Sequence, residues 1–370
     1  MNRSPLYFLA AAAVFGFAGC KNFPGKKDES ADPVAETDKA RDQRTAAETA
    51  FYEECRKLGE SGGTIAGRDG WLFDANELLQ VSRINSTSAA AGAIADYAQQ
   101  LRGQNIDLIL VPVPPKALVY PDKLARGAKV SLKPRKAARL DSVLKAAMDD
   151  LSARHVKVVD LLPVLMAHRD DKAGTAYTRT GLGWSPYGVQ VAVKEIAGAV
   201  RDSRAGGRGG VTGISSEAVT LNFTGSLAAD VSKSKPEVLP ASKIGRISEG
   251  KVRSLSFNTS GGSLLLMGSS DIFAWREANN PQGSSGAFCS LADQLAAELQ
   301  TIPDVIPSSG EGRNSPRLRI LRERTNGRSM LGSTRTVIWV VPALDLCAAN
   351  WQRVPLQLQY SESSPEIQLR

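Results

Sequence analysis

The chain has 370 residues, with 46 Lys+Arg against 38 Asp+Glu, four cysteines and only two histidines, His155 and His168. A hydrophobic content of 42% and a charged content of 23% are typical of globular proteins. They exclude wholesale disorder, collagen and a multi-span membrane protein. No Cys or His pair has zinc-ligand spacing, so we expect neither a metal nor another cofactor. No basic block with interleaved aromatics is present, which excludes nucleic acid as an expected partner.

The first nineteen residues have the features of a secretory signal. Arg3 precedes an apolar run over residues 6–18 that is too short to span a bilayer. Phe17-Ala18-Gly19-Cys20 is similar to a bacterial lipobox, in which the signal is cut before the cysteine and that cysteine is lipidated. The sequence therefore predicts a signal peptide over 1–19 and a lipid anchor on Cys20. An ordinary signal peptide with an incidental cysteine is the alternative.

Residues 20–50 are charged, rich in alanine and poor in large apolar side chains, which predicts a flexible tether. Lys21 after the lipidated Cys20 gives a mild preference for the outer membrane, on its periplasmic side. Cys55, Cys289 and Cys347 remain in an oxidising compartment. One disulfide among these three, or three buried thiols, are both consistent with the sequence.

Short apolar runs alternate with helical stretches from Thr64 onward. Thr64–Phe73 predicts a hairpin that turns at Arg68-Asp69-Gly70, because Asp-Gly between apolar flanks is a strong turn signal. We expect buried strands at residues 106–115, 156–161, 263–268, 304–306 and 336–341, and helices at 88–103, 135–153, 186–201 and 288–300. This alternation predicts an α/β domain over 51–370 with an open, mostly parallel sheet and ligands at the carboxyl ends of its strands.

Residues 203–262 interrupt this alternation with a Gly- and Ser-rich stretch that contains short β-like pieces. We expect an insertion packed on the sheet, lining a substrate groove, with a mobile surface loop as the alternative. The strand that follows ends in Gly268-Ser269-Ser270. A serine just past a buried strand stands at the top edge of the sheet, where backbone N–H groups can form an oxyanion hole. A plain turn serine gives the same pattern.

Several segments share their order along residues 60–357 with one known family: Gly67–Phe73, Val111–Ala117 with Tyr120-Pro121, Tyr177–Thr180, Trp184–Gly188, Gly268–Ser270, Ala292–Ala296 and Val337–Trp339. On these segments the chain resembles the AlgX/AlgJ family of SGNH-hydrolase-like alginate O-acetyltransferases. The resemblance implies a three-layer α/β/α, flavodoxin-like fold. It also implies that acetyl groups pass through a serine ester to hydroxyls of an exported polysaccharide. A membrane-bound O-acyltransferase and an export complex would be partners.

The chain departs from the family at its acid-base motif. The resemblance maps the nucleophile onto Ser270, but Gly181 and Gly183 stand where the family's Asp-X-His-Trp motif has its aspartate and histidine. Loss of the base from such a unit costs roughly a millionfold in turnover. We therefore expect a weakly active or non-catalytic, glycan-binding member. The alternative is an active O-acetyltransferase or acetylesterase that forms acetyl-Ser270 with an unrecognised base; His168 is a poor substitute on a solvated helix end.

Five residues that flank these motifs are candidates for sugar contacts: Lys116, Tyr177, Arg179, Trp184 and Asn314. The charged side chains suit sugar hydroxyls or carboxylates, and the tryptophan offers a flat apolar face to a sugar ring. Internal ion pairing of the charged side chains and core packing of the tryptophan are the alternatives.

Overall fold

We describe a computed structural model of the chain. It covers residues 33–84, 88–124, 139–206, 213–231, 235–259, 261–276, 288–309 and 312–357, with backbone alone at 33–45, Ser88 and Ser270. The predicted signal at 1–19 and the lipidation site Cys20 lie outside these residues. Within the described part, none of the helices has both the length and the apolar character needed to cross a membrane.

The helices are α1 (Pro33–Gly59), α2 (Ala75–Ser82), α3 (Ser88–Gly103), α4 (Lys116–Val119), α5 (Ser142–Ala153), α6 (Leu162–Ala167), α7 (Pro186–Arg201), α8 (Leu291–Leu299) and α9 (Ser315–Thr325). The strands are β1 (Thr64–Ala66), β2 (Leu72–Asp74), β3 (Asp107–Val113), β4 (Lys157–Val158), β5 (Asp170–Asp171), β6 (Gly174–Thr175), β7 (Ile214–Phe223), β8 (Glu237–Ser248), β9 (Lys251–Ser254), β10 (Leu264–Gly268), β11 (Asp304–Pro307) and β12 (Thr336–Pro342).

The central sheet has five parallel strands in the order β11-β10-β12-β3-β4. Every residue of β10 is buried, and β3 and β12 are buried over nearly their whole lengths. Such strands need cover on both faces. The helices α3 and α5 contact each other, as do α7 and α8, and both α3 and α7 contact β3. The predicted three-layer α/β/α architecture is confirmed.

The predicted element bounds hold best where the local signals are strong. Helix α7 spans the expected Pro186–Arg201, because the Ser185 hydroxyl accepts a hydrogen bond from Gly188 N and Pro186 suits the first turn. The hairpin of β1 and β2 also forms as expected. Strand β4 is shorter than expected because it pairs with β3 over two residues only. Helix α5 begins later than expected, at Ser142, whose backbone N donates to the distant Glu48 carboxylate.

Helix α1 already begins at Pro33, so the second half of the predicted 20–50 tether is helical. Its Ala, Glu, Lys and Arg residues are strong helix formers, which the low content of apolar side chains concealed. Phe51 and Cys55, one turn apart, are fully buried. The Glu48 carboxylate is also buried, and it accepts hydrogen bonds from Tyr52 Oη and Ser142 N, each at 2.8 Å. The helix therefore joins the core before the predicted domain start at residue 51.

The insertion at 203–262 contains a three-stranded antiparallel sheet in the order β7-β8-β9. Leu221, Leu239 and Ile244 from this sheet are buried, and β8 contacts α7 and α8. The described part of the insertion is therefore packed on the domain. Residues 207–212, 232–234 and 260 are not among those described.

The sequence allows one disulfide or three unbridged thiols, and the structure has the second arrangement. Cys55 and Cys289 are buried and Cys347 is half-buried, and none of the three is in a disulfide. Burial raises the pKa of Cys289 to about 12 and raises that of Cys55 still further. The thiols of Cys55 and Cys289 are therefore held protonated at neutral pH.

Candidate functional site

A small pocket of about 150 Å³ opens at the carboxyl ends of β3, β10 and β12. It is lined by Glu77, Val113, Pro114, Pro115, Tyr177, Leu182, Gly183, Trp184, Asp271, Pro342 and Leu344. Because the strands are parallel, their ends bring together residues that lie far apart in sequence. This is the edge at which the sequence predicts ligands.

The serine turn lies at the end of β10. Gly268 has φ 140°, and a Cβ there would lie 1.8 Å from Val340 O, so only glycine fits this close approach to β12. The Ser269 hydroxyl donates to Asp271 Oδ2 at 2.8 Å, and Ser270 begins a single 3₁₀ turn that ends at Phe273. Burial raises the pKa of Asp271, and the Ser269 hydrogen bond opposes that rise. The assignment of Ser270 as nucleophile stays a prediction.

The two glycines of the degenerate motif differ sharply in the space around them. Gly183 lines the pocket, and a Cβ added to it would meet no atom within 4 Å. A Cβ on Gly181 would lie 2.6 Å from Thr178 Oγ1 and 3.1 Å from two ring atoms of Phe223. A histidine at position 183 would therefore have room, whereas Phe223 and Thr178 fill the place that an aspartate at position 181 would need.

The loop that carries both glycines, residues 178–183, is held from two sides. Beneath it, Lys116 Nζ donates to Gly181 O at 2.7 Å and to Arg179 O at 3.1 Å. Above it, the Glu237 carboxylate of β8 accepts from the backbone N–H groups of Arg179 and Thr180, each at 2.8 Å. The Lys116 side chain is 1% exposed. Its placement therefore leaves no exposed donor for a sugar, against the expectation from sequence.

Tyr177 and Trp184 form the pocket wall. The Tyr177 hydroxyl donates to Pro114 O, and Trp184 is 1% exposed, with its carbonyl accepting from Trp275 Nε1 at 2.9 Å. Within the described residues the indole Nε1 of Trp184 has no hydrogen-bond partner. Both side chains shape the pocket, and neither presents an open face to solvent.

Arg179 and Asn314 lie outside the pocket. Arg179 is exposed and lines a larger groove of about 1020 Å³ between the hairpins and the insertion. Asn314 is buried ahead of α9, where its amide donates to Asn350 O at 3.1 Å and accepts from Arg317. Of the five predicted sugar contacts, only Arg179 combines an exposed side chain with a place in a groove.

Neither of the two histidines in the chain lines the pocket. His168 follows α6, is exposed, and shares a hydrogen bond of 2.8 Å between its Nδ1 and Asp171 Oδ2. His155 is exposed, with φ 63°, in the turn before β4. The site thus has no imidazole to act as its base. Among the described residues, no group of three or more His, Cys, Asp or Glu side chains could hold a metal ion.

The strongest electrostatic feature of the pocket is Glu77 on α2, which the sequence analysis missed. Burial raises the pKa of Glu77 to about 7, with the nearby Asp74 and Asp271 adding to the rise and Lys116 opposing it. Burial likewise lowers the pKa of Lys116 to about 8. A carboxyl with such a pKa in a cleft is characteristic of functional sites. No sequence signal links Glu77 to the Gly268-Ser269-Ser270 turn, which lies far from it along the chain.

This pKa has a consequence for stability. Glu77 titrates at about 7 in the folded chain against an ordinary value of 4.5, so the folded state binds more protons within that window. We expect the stability that this group contributes to be fully present below pH 4.5 and lost as pH rises through 7. Urea denaturation between pH 5 and 7 should show that decline, and Glu77→Gln should flatten it. The exposed control Glu195→Gln should keep the wild-type slope; an unchanged slope in Glu77→Gln would contradict the assignment.

Comparison with known proteins identifies the family. Residues 64–276 match the family described as "SGNH hydrolase-like domain, acetyltransferase AlgX". The match covers more than half of the chain. This protein belongs to the AlgX family.

Relatives and solved structures of this family agree with that assignment. The chain is 25% identical over 141 residues to the "Probable alginate O-acetylase AlgJ" of Pseudomonas aeruginosa and 28% identical over 144 residues to that of Pseudomonas fluorescens. Each match covers 38% of this chain and 34% of the relative. The chain thus matches about a third of the length of these relatives.

Two solved structures share the fold. The O-acetyltransferase domain of Pseudomonas putida AlgJ superposes with a TM-score of 0.56 at 20% identity, over 78% of this chain and 93% of that domain. Pseudomonas aeruginosa AlgX gives 0.53 at 16% identity, over 80% and 67%. The resemblance seen in the short motifs is therefore confirmed, and so is the SGNH-like fold.

Proposed function

We propose that this chain acts in polysaccharide O-acetylation at the cell envelope as a glycan-binding member with little or no turnover. The O-acetylase names of its relatives support the pathway. The low expected turnover rests on one observation: the pocket contains no imidazole, and Phe223 and Thr178 fill the space beside Gly181. A serine hydroxyl is a poor nucleophile without a positioned base and its orienting acid.

The larger groove supports binding of an exported, anionic polysaccharide. Lys172, Arg179 and Lys235 line it with exposed side chains, and within the described residues none of the three forms an ion pair or a side-chain hydrogen bond. The three acids that line the groove in the described part of the chain already have partners: Asp69 binds Lys123, Asp171 binds His168 and Tyr187, and Glu237 binds the 178–183 loop. The side chains of Lys172, Arg179 and Lys235 therefore remain available to bind carboxylates on a glycan.

The cell-envelope setting follows from the same proposal. An anchor at Cys20 would hold the domain at the periplasmic side of a membrane, with the outer membrane preferred, where an exported polysaccharide passes. A membrane-bound O-acyltransferase and the export complex would be its partners.

A binding experiment tests this proposal. We expect the full chain in detergent to bind alginate with an affinity that falls as salt rises, and to bind neutral dextran much less. Arg179→Ala should weaken alginate binding by about 10-fold, since a hydrogen bond to a charged group contributes about 1.5–3 kcal/mol. Lys194→Ala, an exposed change on α7, should leave it unchanged. Equal binding of both polymers, or a rapid acetyl-enzyme burst abolished by Ser270→Ala, would contradict the proposal.

A second candidate function is a slow acetylesterase or O-acetyltransferase that uses a different base. It is favoured by the serine turn at Gly268-Ser269-Ser270 and by a titratable carboxyl, Glu77, in the same pocket.

A further inference from the structure

Among the residues that the structure describes, three titratable side chains line the pocket: Glu77, Tyr177 and Asp271. Tyr177 donates its hydroxyl proton to Pro114 O, and burial raises its pKa well above the ordinary value, so it is a poor base. Asp271 accepts the Ser269 hydroxyl and lies next to Ser270 along the chain, too close for an in-line proton transfer. Glu77 is the carboxyl that remains.

We propose that Glu77 replaces the missing imidazole and is the general base for the residual ester chemistry of this pocket. This inference rests on the proposed place of the chain in polysaccharide O-acetylation. It adds a catalytic residue, carried by α2, that the family motif does not supply.

The position of Glu77 suits this role. Helix α2 begins directly after β2, with the Asp74 carboxylate capping it by accepting from Asn76 N at 3.2 Å. Glu77 Oε1 accepts from Lys116 N at 3.3 Å, which orients the carboxylate. Among the described residues its Oε2 accepts no hydrogen bond. The side chain is half-buried at the pocket wall, so one oxygen is held by the protein and the other is available to take a proton.

The surroundings keep this carboxylate basic at neutral pH. The titratable groups that face it are Asp74 at the start of α2, Lys116 on α4, Tyr177, Asp271 after β10, and Cys55 on α1. The Lys116 ammonium donates to two backbone carbonyls and forms no ion pair with Glu77 within the described residues. Burial without a paired cation is the condition that turns a carboxylate into a base near pH 7.

The proposed step transfers one proton each way. The Glu77 carboxylate takes the hydroxyl proton of Ser270 while Ser270 Oγ forms a bond to the carbonyl carbon of an acetyl ester. The tetrahedral intermediate then collapses, the bond from that carbon to the leaving oxygen breaks, and the Glu77 carboxylic acid returns its proton to that oxygen. Acetyl-Ser270 and a free alcohol remain, and a glycan hydroxyl or water reverses the sequence.

The test measures slow hydrolysis of a chromogenic acetyl ester by the full chain, with intact mass to follow acetyl-Ser270. We expect Glu77→Gln to lower kcat/KM by about 100-fold, the scale of a positioned general base. We expect Glu77→Asp to lower it less, and Glu195→Gln to leave it unchanged. The wild-type kcat/KM should rise with pH through about 7. This rise should persist in His168→Ala and vanish in Glu77→Gln.

The outcomes separate this inference from the proposed function. Wild-type rates in a folded Glu77→Gln would overturn it, and so would a pH rise that disappears in His168→Ala. A wild-type chain that hydrolyses no ester between pH 5 and 9 would also overturn it, while leaving alginate binding as proposed. If Glu77→Gln fails to fold, the wild-type and His168→Ala pH profiles decide alone.

Discussion

Gly183→His is expected to raise acetyl transfer to Ser270 by about 100-fold, because it returns an imidazole base to a pocket whose lining contains no histidine. Gly183 lines the pocket, and a Cβ at this position has no neighbour within 4 Å, so the first side-chain atom meets open space. The rate of chromogenic acetyl ester hydrolysis and the accumulation of acetyl-enzyme by intact mass measure the effect.

Two controls make this result specific. Gly183→Ala adds a side chain without a base and should stay at the wild-type rate, and Ser270→Ala in the Gly183→His background should abolish the gain. Gly181→Asp should bring no gain and should lower the melting temperature, since its Cβ collides with Thr178 and Phe223. A rate in Gly183→His equal to that of Gly183→Ala would show that the pocket does not place position 183 near the nucleophile.

Lys116→Met is expected to lower the free energy of unfolding by about 3 kcal/mol. Methionine keeps most of the apolar stem but removes the ammonium, which lies 5.6 Å from the ring centroid of Trp71 and 5.3 Å from that of Phe73. The carbonyls of Arg179 and Gly181 then lose their donor. Urea denaturation measures the loss, and hydrogen exchange should show faster opening of the 178–183 loop.

The matched control is Lys123→Met. Lys123 Nζ binds Asp69 Oδ2 at 2.6 Å, but the Asp69 side chain is 70% exposed, so this pair should contribute less than about 1 kcal/mol. Equal losses in Lys116→Met and Lys123→Met would mean that burial of the Lys116 ammonium does not hold the loop.

The sequence predicts the helices and strands of the fold better than it predicts the residues of the site. Continuous apolar runs such as Thr336–Val341 and a capped helix start at Ser185 are local signals, and the elements they predict are present. The two-residue strand β4 and the late start of α5 depend on partners elsewhere in the chain, β3 and Glu48 respectively, which no local pattern contains. Helix α1 is the opposite case. Its composition predicts a flexible tether over residues 20–50, but the segment from Pro33 onward is helical, because its residues are strong helix formers and Phe51 and Cys55 are buried.

The site itself is assembled from distant segments. The serine turn and the two glycines follow from motifs, yet Glu77 lies on a helix almost two hundred positions before Ser270, and only the parallel sheet brings the two segments to one edge. Lys116 was expected at a sugar because it is charged; its burial under the 178–183 loop depends on backbone carbonyls that a sequence does not display.

The packing of Phe223 against Gly181 also bears on how this chain can change in evolution. The ring comes from the insertion and rests edge-on against Trp275 at a centroid distance of 4.9 Å, so it cannot leave its place without disturbing a second aromatic. A change to histidine at position 183 meets no neighbour at its Cβ, whereas a change to aspartate at position 181 first requires smaller side chains at both 178 and 223. We therefore expect relatives that carry an aspartate at this position to have smaller side chains where Thr178 and Phe223 stand in this chain.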